Sequence, residues 1–177
     1  MAFGSVDTQV GRLLVAVTPA GLASVSFRDT PATRARAAKS LDLPVTDDPG
    51  RTAPVLDELA RYFAGESLAF AVPLDWRLVS PLRQRVLSTL HATVGYGELV
   101  TYGELGERSR SGIIARGIGQ VMGANPIPVV VPCHRVVAGN GLGGYSGGSG
   151  IEIKRWLLTF EGALQPTLDW DPDAKAC

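Results

Sequence analysis

Cysteine is nearly absent from this chain of 177 residues, which has only Cys133 and the terminal Cys177. Two thiols build no disulfide framework, and their scarcity points to a reducing, cytoplasmic setting. Histidine is equally scarce, with only His91 and His134, and no paired-ligand spacing for zinc arises from these four residues. Neither a metal nor any other cofactor is therefore expected. No segment approaches the roughly eighteen uninterrupted apolar residues that suggest a membrane span. The start, Met1-Ala2-Phe3-Gly4, lacks a basic stretch leading into an apolar one, so no secretory signal is expected. Net charge is absent too, with 17 basic against 17 acidic side chains, which argues against a partner held by bulk electrostatics alone.

What is present is an apolar fraction of 45% with three Trp, the composition of a folded globular protein. The length allows one ordinary domain or two small ones. Charge is unevenly spread: residues 78–165 carry eight Lys or Arg against five Glu, leaving nine against twelve elsewhere. That asymmetry is compatible with one modestly basic face.

Along the chain, 12–17 and 22–27 are apolar, β-branched runs flanking Thr18-Pro19-Ala20-Gly21, the pattern of a β-hairpin. Asp42 to Thr52, with Pro44 and Pro49-Gly50, reads as a long loop before a helix over about Val55–Phe63, ended by Ala64-Gly65. Ser80-Pro81 supplies an N-cap residue and a first-turn proline, and Leu82, Val86 and Leu90 follow at helical spacing. A domain boundary is placed just before Ser80, giving a β-rich unit over 1–79, a second unit over 80–165 and an acidic, frayed tail over 166–177. Thr101 and Glu104 have capping-box spacing, which starts a short helix at Tyr102 and ends it near Ser109. After the Ser111-Gly112 turn, Ile114, Ile118 and Val121 form an apolar stripe, leaving Arg116, Gly117 and Gln120 near the opposite face. Two short helices joined this way resemble a helix-turn-helix, as do many αα-corners of no special function. Asn125-Pro126 breaks the second helix. Ile127 to Val131 is an apolar run expected in the interior or on a sheet edge, delivering Pro132-Cys133-His134-Arg135. A glycine-rich loop over 139–150 precedes a last helix with Ile153, Trp156, Leu157 and Phe160 on its buried face. There is no internal repeat.

An isolated Cys is usually a small buried hydrophobe. Cys133, however, is followed at once by His134 and Arg135, either of which could favour a thiolate, and the glycine loop leaves room for a flat ligand. A nucleophile, a base and an access path are thus all available.

Pro132-Cys133-His134-Arg135-Val136-Val137 resembles the alkyl-acceptor motif of the 6-O-alkylguanine-DNA alkyltransferases. Tyr96-Gly97-Glu98, Thr101-Tyr102-Gly103-Glu104-Leu105, Ala115-Arg116 with Gly119, Asn125-Pro126, Tyr145-Ser146-Gly147-Gly148 and Lys154-Arg155-Trp156-Leu157-Leu158 with Glu161-Gly162 follow in the family's order and nearly its spacing. The resemblance is strong over 78–162; before that it rests on general layout and on Tyr62-Phe63-Ala64-Gly65.

That resemblance implies an α+β protein, with a small β-rich, RNase H-like amino-terminal domain and a mainly helical carboxy-terminal one bearing a helix-turn-helix. It implies single-turnover repair: a 6-O-alkylated guanine is flipped from double-stranded DNA, through the minor groove, and its alkyl group moves irreversibly to Cys133 of a monomeric methylated-DNA–protein-cysteine methyltransferase. His134 would take the thiol proton through a water and Glu161 would orient it. Asn125 would brace the turn before the acceptor. Tyr102, Val136, Tyr145 and Ser146 would bind the flipped base, with Tyr102 helping guanine leave. Arg116 would fill the gap in the duplex, with Ile114, Ala115, Gly117, Gln120 and Arg135 on the DNA.

Taken singly, these residues have plainer readings: Tyr102 as first-turn packing, Glu161 as a helix-end charge, Asn125 as a left-handed cap, Arg116 as a solvated charge. Leu82, Arg83 and Leu87 replace the family's usual Phe-Gln start and Trp, Gly112 its Pro, and Ile114 a small residue. The loop after Cys133 differs in length, which bears on Ser146. Two other functions compete. One is a helix-turn-helix module that recognises damaged DNA, or senses through Cys133, without transfer. The other is a cysteine hydrolase, disfavoured because adjacent residues rarely aim their side chains at each other.

Overall fold

The computed structural model describes residues 1–167 and Asp171. Cys177 and nearly all of the tail expected to be frayed lie outside the described residues. The amino-terminal half is one antiparallel sheet in the order β1 (Ala2–Thr8), β2 (Gly11–Thr18), β3 (Gly21–Ser26), with α1 (Pro31–Leu41) and α2 (Pro49–Phe63) after it. β2 is buried from Leu13 to Thr18 without alternation because both of its faces are covered. Leu13, Val15 and Val17 join the main core with Val55, Leu59 and Tyr62 of α2, while Ala16 packs with Met1, Ala23 and Leu41 in a second, smaller cluster.

Both helices begin by one device, a capping side chain followed by proline. Thr30 accepts from Thr33 N at 3.1 Å ahead of Pro31, and Asp48 accepts from Arg51 N at 3.1 Å ahead of Pro49. The expected loop through Thr52 is therefore too long. Pro49-Gly50, read as turn residues, form the first turn of α2. The buried residues Thr52, Val55, Leu59 and Tyr62 recur at helical spacing and turn one face toward the sheet.

The carboxy-terminal half holds α3 (Pro81–Thr93), β4 (Val100–Thr101), α4 (Tyr102–Arg108), α5 (Ala115–Gly123), a 3-10 turn over Cys133–Arg135, β5 (Val136–Val137) and α6 (Ile151–Phe160). β4 and β5 pair in parallel, which fixes the residues after Cys133 against the start of α4. Thr101 and Glu104 form both halves of the capping box. Ser80 stands at the N-cap of α3 without a side-chain bond, and Leu82 is exposed, so the buried stripe is Val86, Leu87 and Leu90. The run from Ile127 to Val131 is interior but irregular rather than a strand. α4 and α5 can cross closely because Gly106 has no side chain: a Cβ there would lie 2.8 Å from the Ile113 carbonyl oxygen.

A single hydrophobic core runs from Val10 in the first half to Leu157 in the second. Backbone bonds tie β3 to the chain beyond α2 and to the other half. Leu22 N donates to Pro73 O at 2.8 Å and Asp75 N to Leu22 O at 2.9 Å within the first half, and Val25 N donates to Pro126 O at 2.8 Å across to the second. Gly21 makes the first of these approaches possible. Its φ is +136°, and an added Cβ would sit 2.2 Å from the Pro73 carbonyl oxygen. Gly21→Ala should therefore cost about 1–3 kcal/mol by combining backbone strain with overpacking. Urea denaturation of the purified variant checks this, and a midpoint equal to that of the parent protein would contradict it.

Candidate active site

Asn125, just past α5, fixes the approach to the thiol. Its Nδ2 donates to Val131 O at 2.9 Å and its Oδ1 accepts from Ile127 N at 3.0 Å, so the turn before Cys133 is pinned at both ends by one side chain. The 3-10 turn then places Cys133, 6% exposed, at the meeting point of two cavities. One, of about 590 Å³, is lined by Tyr102, Ala115, Arg116, Gly119, Met122 and Tyr145 among others, and so opens along the first turn of α5. The second, of about 370 Å³, reaches Cys133 past Pro128 and Ser146 from the end of β3, where Phe27 and Arg28 lie. Phe27 meets Tyr145 edge-on at 6.3 Å, and a Cβ on Gly147 would come within 2.5 Å of the Phe27 ring. The amino-terminal sheet thus presses directly on the glycine loop.

Behind the thiol, Glu161 collects four hydrogen bonds. His134 Nε2 donates to its Oε1 at 2.9 Å, Arg135 Nε to Oε2 at 2.9 Å, Arg135 Nη2 to Oε1 at 2.9 Å, and the Tyr62 hydroxyl to Oε1 at 2.6 Å. Arg135 also donates from Nη1 to Val94 O at 2.8 Å. Although burial opposes ionisation, His134 and then Arg135 hold the Glu161 carboxyl far below the usual carboxylate range. A carboxylate can only accept, so Nε2 of His134 carries the hydrogen and Nδ1 is a bare acceptor. That Nδ1 makes no hydrogen bond with any described residue. Burial is the main cause pushing the His134 imidazole below its ordinary value. Arg135 and Lys154 add to this, while the Glu161 charge, already matched by Arg135, pulls the other way without prevailing.

Burial also pushes the Cys133 thiol up, opposed by the Asn125 side chain, the Lys154 ammonium and the Tyr145 hydroxyl. The Tyr145 hydroxyl lies beside the sulfur without a hydrogen bond of ordinary geometry. The resting group is therefore a thiol that needs a base.

Several expected residues stand together here: Cys133, His134, Glu161, Asn125, Tyr102, Tyr145 and Ser146. Tyr102 donates weakly to Gly144 O at 3.4 Å, and Ser146 donates to Gly123 O at 3.2 Å. Others need correction. Arg135, expected on the DNA, is 5% exposed and turns its guanidinium inward to Glu161 and Val94, away from any phosphate. For the same reason neither His134 nor Arg135 is the cation beside the sulfur. Val136 lines neither cavity: its side chain is fully buried and its carbonyl accepts from Lys154 Nζ at 2.6 Å. Ile114 leaves the apolar stripe of α5 because it is the N-cap, with extended backbone, and is 76% exposed. Met122 joins Ile118 and Val121 on the buried face instead. Ala115, Arg116 and Gln120 are exposed on the first turns of α5. Gly117 has a packing reason as well, since a Cβ there would meet Ile113 Cγ2 at 2.5 Å.

Two residues were not read from the sequence as site residues. Lys154 is fully buried, donates to Val136 O and Gly144 O, lies 5.9 Å from the centre of the Tyr102 ring, and is pushed down to about 8 chiefly by burial. Its signal was the helical spacing to Leu157 and Leu158, which puts position 154 on the buried face. Tyr62 carries the α2 stripe, but nothing local announces Glu161 as its partner.

A buried thiol, a paired imidazole behind it and a cavity opening along the second helix of a helix-turn-helix define a cysteine acceptor placed to meet a DNA base. The chain belongs to the 6-O-methylguanine DNA methyltransferases, whose ribonuclease-like domain matches residues 1–76 and whose DNA binding domain matches residues 81–163. It is 43% identical over 122 residues to a methylated-DNA–protein-cysteine methyltransferase of Mycobacterium bovis, covering 68% of this chain and 72% of that protein. A DNA base-flipping protein of Thermus thermophilus is 41% identical over 112 residues, covering 62% of this chain and 73% of that one. The crystal structure of the Mycobacterium tuberculosis OGT in complex with DNA superposes with a TM-score of 0.76 at 36% identity, covering 91% of this chain and 92% of that one.

The lowered proton affinity of His134 has a consequence for stability. In the unfolded chain the imidazole binds its proton near pH ~6.5, and in the fold only at lower pH. The depressed folded value means that its contribution is complete above about pH 6.5 and is lost as pH falls from there through the folded value, by up to about 1.4 kcal/mol per pH unit. The stability of the parent protein relative to His134→Gln should therefore shrink between about pH 7 and about pH 5. Denaturant titrations of both proteins across that range measure it, and a constant difference would show that the imidazole is not held neutral.

Proposed function

We propose that this protein repairs DNA by direct reversal, taking the alkyl group of a 6-O-alkylguanine in double-stranded DNA irreversibly onto Cys133. The observation that carries this reading is Cys133 itself, set where a cavity running to Arg116 meets the His134–Glu161 pair. The thiol proton passes through a water to Nδ1 of His134, which Glu161 holds in the right tautomer. The sulfur attacks the alkyl carbon in line, a carbon–sulfur bond forms as the carbon–oxygen bond breaks, and the electron pair leaves on the guanine oxygen. Tyr102 contacts the minor-groove edge of the flipped base and helps it leave. Ser146 and Tyr145 face the alkylated oxygen and the alkyl group. Lys154, with its ammonium near the sulfur, favours the charged thiolate. Neither metal nor cofactor enters this sequence of steps. The protein acts as a monomer in the cytoplasm, and Ile114, Ala115, Arg116, Gly117 and Gln120 meet the minor groove.

A thioether has no leaving-group chemistry that returns it to a thiol, so each protein should repair one lesion. Intact-protein mass spectrometry after mixing with duplex DNA containing 6-O-methylguanine should find one added methyl, mapped to Cys133. Repeated turnover, or an adduct on Cys177, contradicts the mechanism, and unchanged mass with tight binding would favour a recognition module instead.

Arg116 acts before the chemistry. A stacked base hides its alkyl carbon, unstacking costs a few kcal/mol, and an exposed cation on the first turn of α5 can replace the departing base's contacts. Arg116→Ala should slow repair of duplex DNA by about 100-fold. It should react almost normally with free 6-O-benzylguanine, where nothing has to be flipped. Equal losses on both substrates would place Arg116 in the fold or the pocket.

A further inference from the structure

Three buried side chains from two parts of the chain converge on one oxygen of Glu161, and only one of them comes from the amino-terminal half. Tyr62, fully buried near the end of α2, donates its hydroxyl to Oε1 at 2.6 Å, the oxygen that also receives His134 Nε2 at 2.9 Å and Arg135 Nη2 at 2.9 Å. Its ring is fixed by edge and tilted contacts with Phe63, Phe70, Tyr96 and Phe160 at 5.0–6.1 Å. The hydroxyl therefore has little freedom to turn away. Burial, followed by the Glu161 charge, raises the Tyr62 phenol well above its ordinary value, so it remains a donor throughout the working pH range.

We infer that Tyr62 is a positioning residue of the transfer reaction, through which the amino-terminal domain sets the proton affinity of His134 by drawing charge from Glu161. The inference rests on the reading that His134 accepts the Cys133 proton. Each donor to Glu161 spreads its negative charge and makes it a weaker partner for a protonated imidazole. The charged and titratable groups facing this pair are Arg135 on the same turn, Lys154 on α6, Tyr96 on the turn before β4, Tyr145 on the glycine loop, and Tyr62. Arg135 bridges both oxygens of Glu161. Tyr62 adds a further donor to Oε1, leaving His134 neutral with Nδ1 free to accept. Without the hydroxyl, Glu161 becomes the stronger partner, His134 holds a proton to higher pH, and the fraction able to act as base shrinks.

The test is the pH profile of the single-turnover reaction with free 6-O-benzylguanine, which needs no base flipping. Tyr62→Phe keeps the ring and removes the hydroxyl. Its acid limb should move to higher pH by about half a unit or more, with a rate loss of about threefold or more below the midpoint that fades toward pH 8. Site-specific 3-fluorotyrosine at position 62 makes the hydroxyl a stronger donor and should move the limb the other way. It also retains the ring and the hydrogen bond, so it remains informative if Tyr62→Phe folds poorly. Profiles that keep the same midpoint, or fall in parallel at every pH, would give Tyr62 a structural role only and overturn the inference. A parent protein that transfers the alkyl group to Cys133 with no acid limb attributable to His134 would instead overturn the proton-relay reading beneath it, and with it this one.

Discussion

One buried carboxylate organises this protein. Taking Glu161 out of water is costly unless its charge is matched and its lone pairs are filled, and here both conditions are met by Arg135, His134 and Tyr62. Each partner is held by another part of the fold. Arg135 is tied to the end of α3 through Val94 O, His134 belongs to the 3-10 turn that carries the thiol, and Tyr62 belongs to the helix that backs the sheet. The carboxylate can be tolerated only if all of these arrive in register, so the same interaction that readies the imidazole also specifies how the halves fit. Removing one donor from such a pair usually costs about 3–5 kcal/mol, whereas the intact group can be nearly neutral in net stability. Its contribution is better seen as specificity of arrangement than as a surplus of binding.

A second buried charge, the ammonium of Lys154, acts on the same thiol. It reaches two backbone carbonyls, Val136 and Gly144, that belong to β5 and to the glycine loop. It therefore ties the loop that walls the cavity to the strand that follows Cys133. Meanwhile it supplies positive potential near the sulfur that His134 and Arg135, both committed to Glu161, cannot supply. Under the proposed mechanism the site separates two tasks that the sequence places on adjacent residues: one set of side chains receives a proton, and another favours the anion left behind.

What could be read from the sequence was mostly local. The Thr101–Glu104 capping box, the hairpin across Thr18–Gly21, the ends of α4 and the buried face of α6 each depend on residues within a turn or two, and each is present in the fold. β1 and α1 were not read at all. β1 lacks clean alternation, and the start of α1 at Thr30-Pro31 looks like a turn until the capping bond is seen. Pro49-Gly50 misled for the same reason. Ile114 misled because residues before a helix do not share its phase. At the site, Cys133, His134 and Glu161 were legible through a motif, but Arg135 lost its expected role to a partner 26 residues away, and Tyr62 gained one from a partner 99 residues away. Pairings across such distances leave no periodic trace in a sequence.

The same long separation bears on how the chain comes to life. A ribosome emits Tyr62 well before Glu161, which follows 99 residues later, and contacts between residues so far apart form late because a large loop must close first. Until then His134 lacks the carboxylate that fixes its tautomer, and the base proposed for the thiol is not in place. The nascent protein therefore carries the thiol without the assembled site around it. Under the proposed mechanism, a reagent that can be used only once is not armed until both halves of the fold have met.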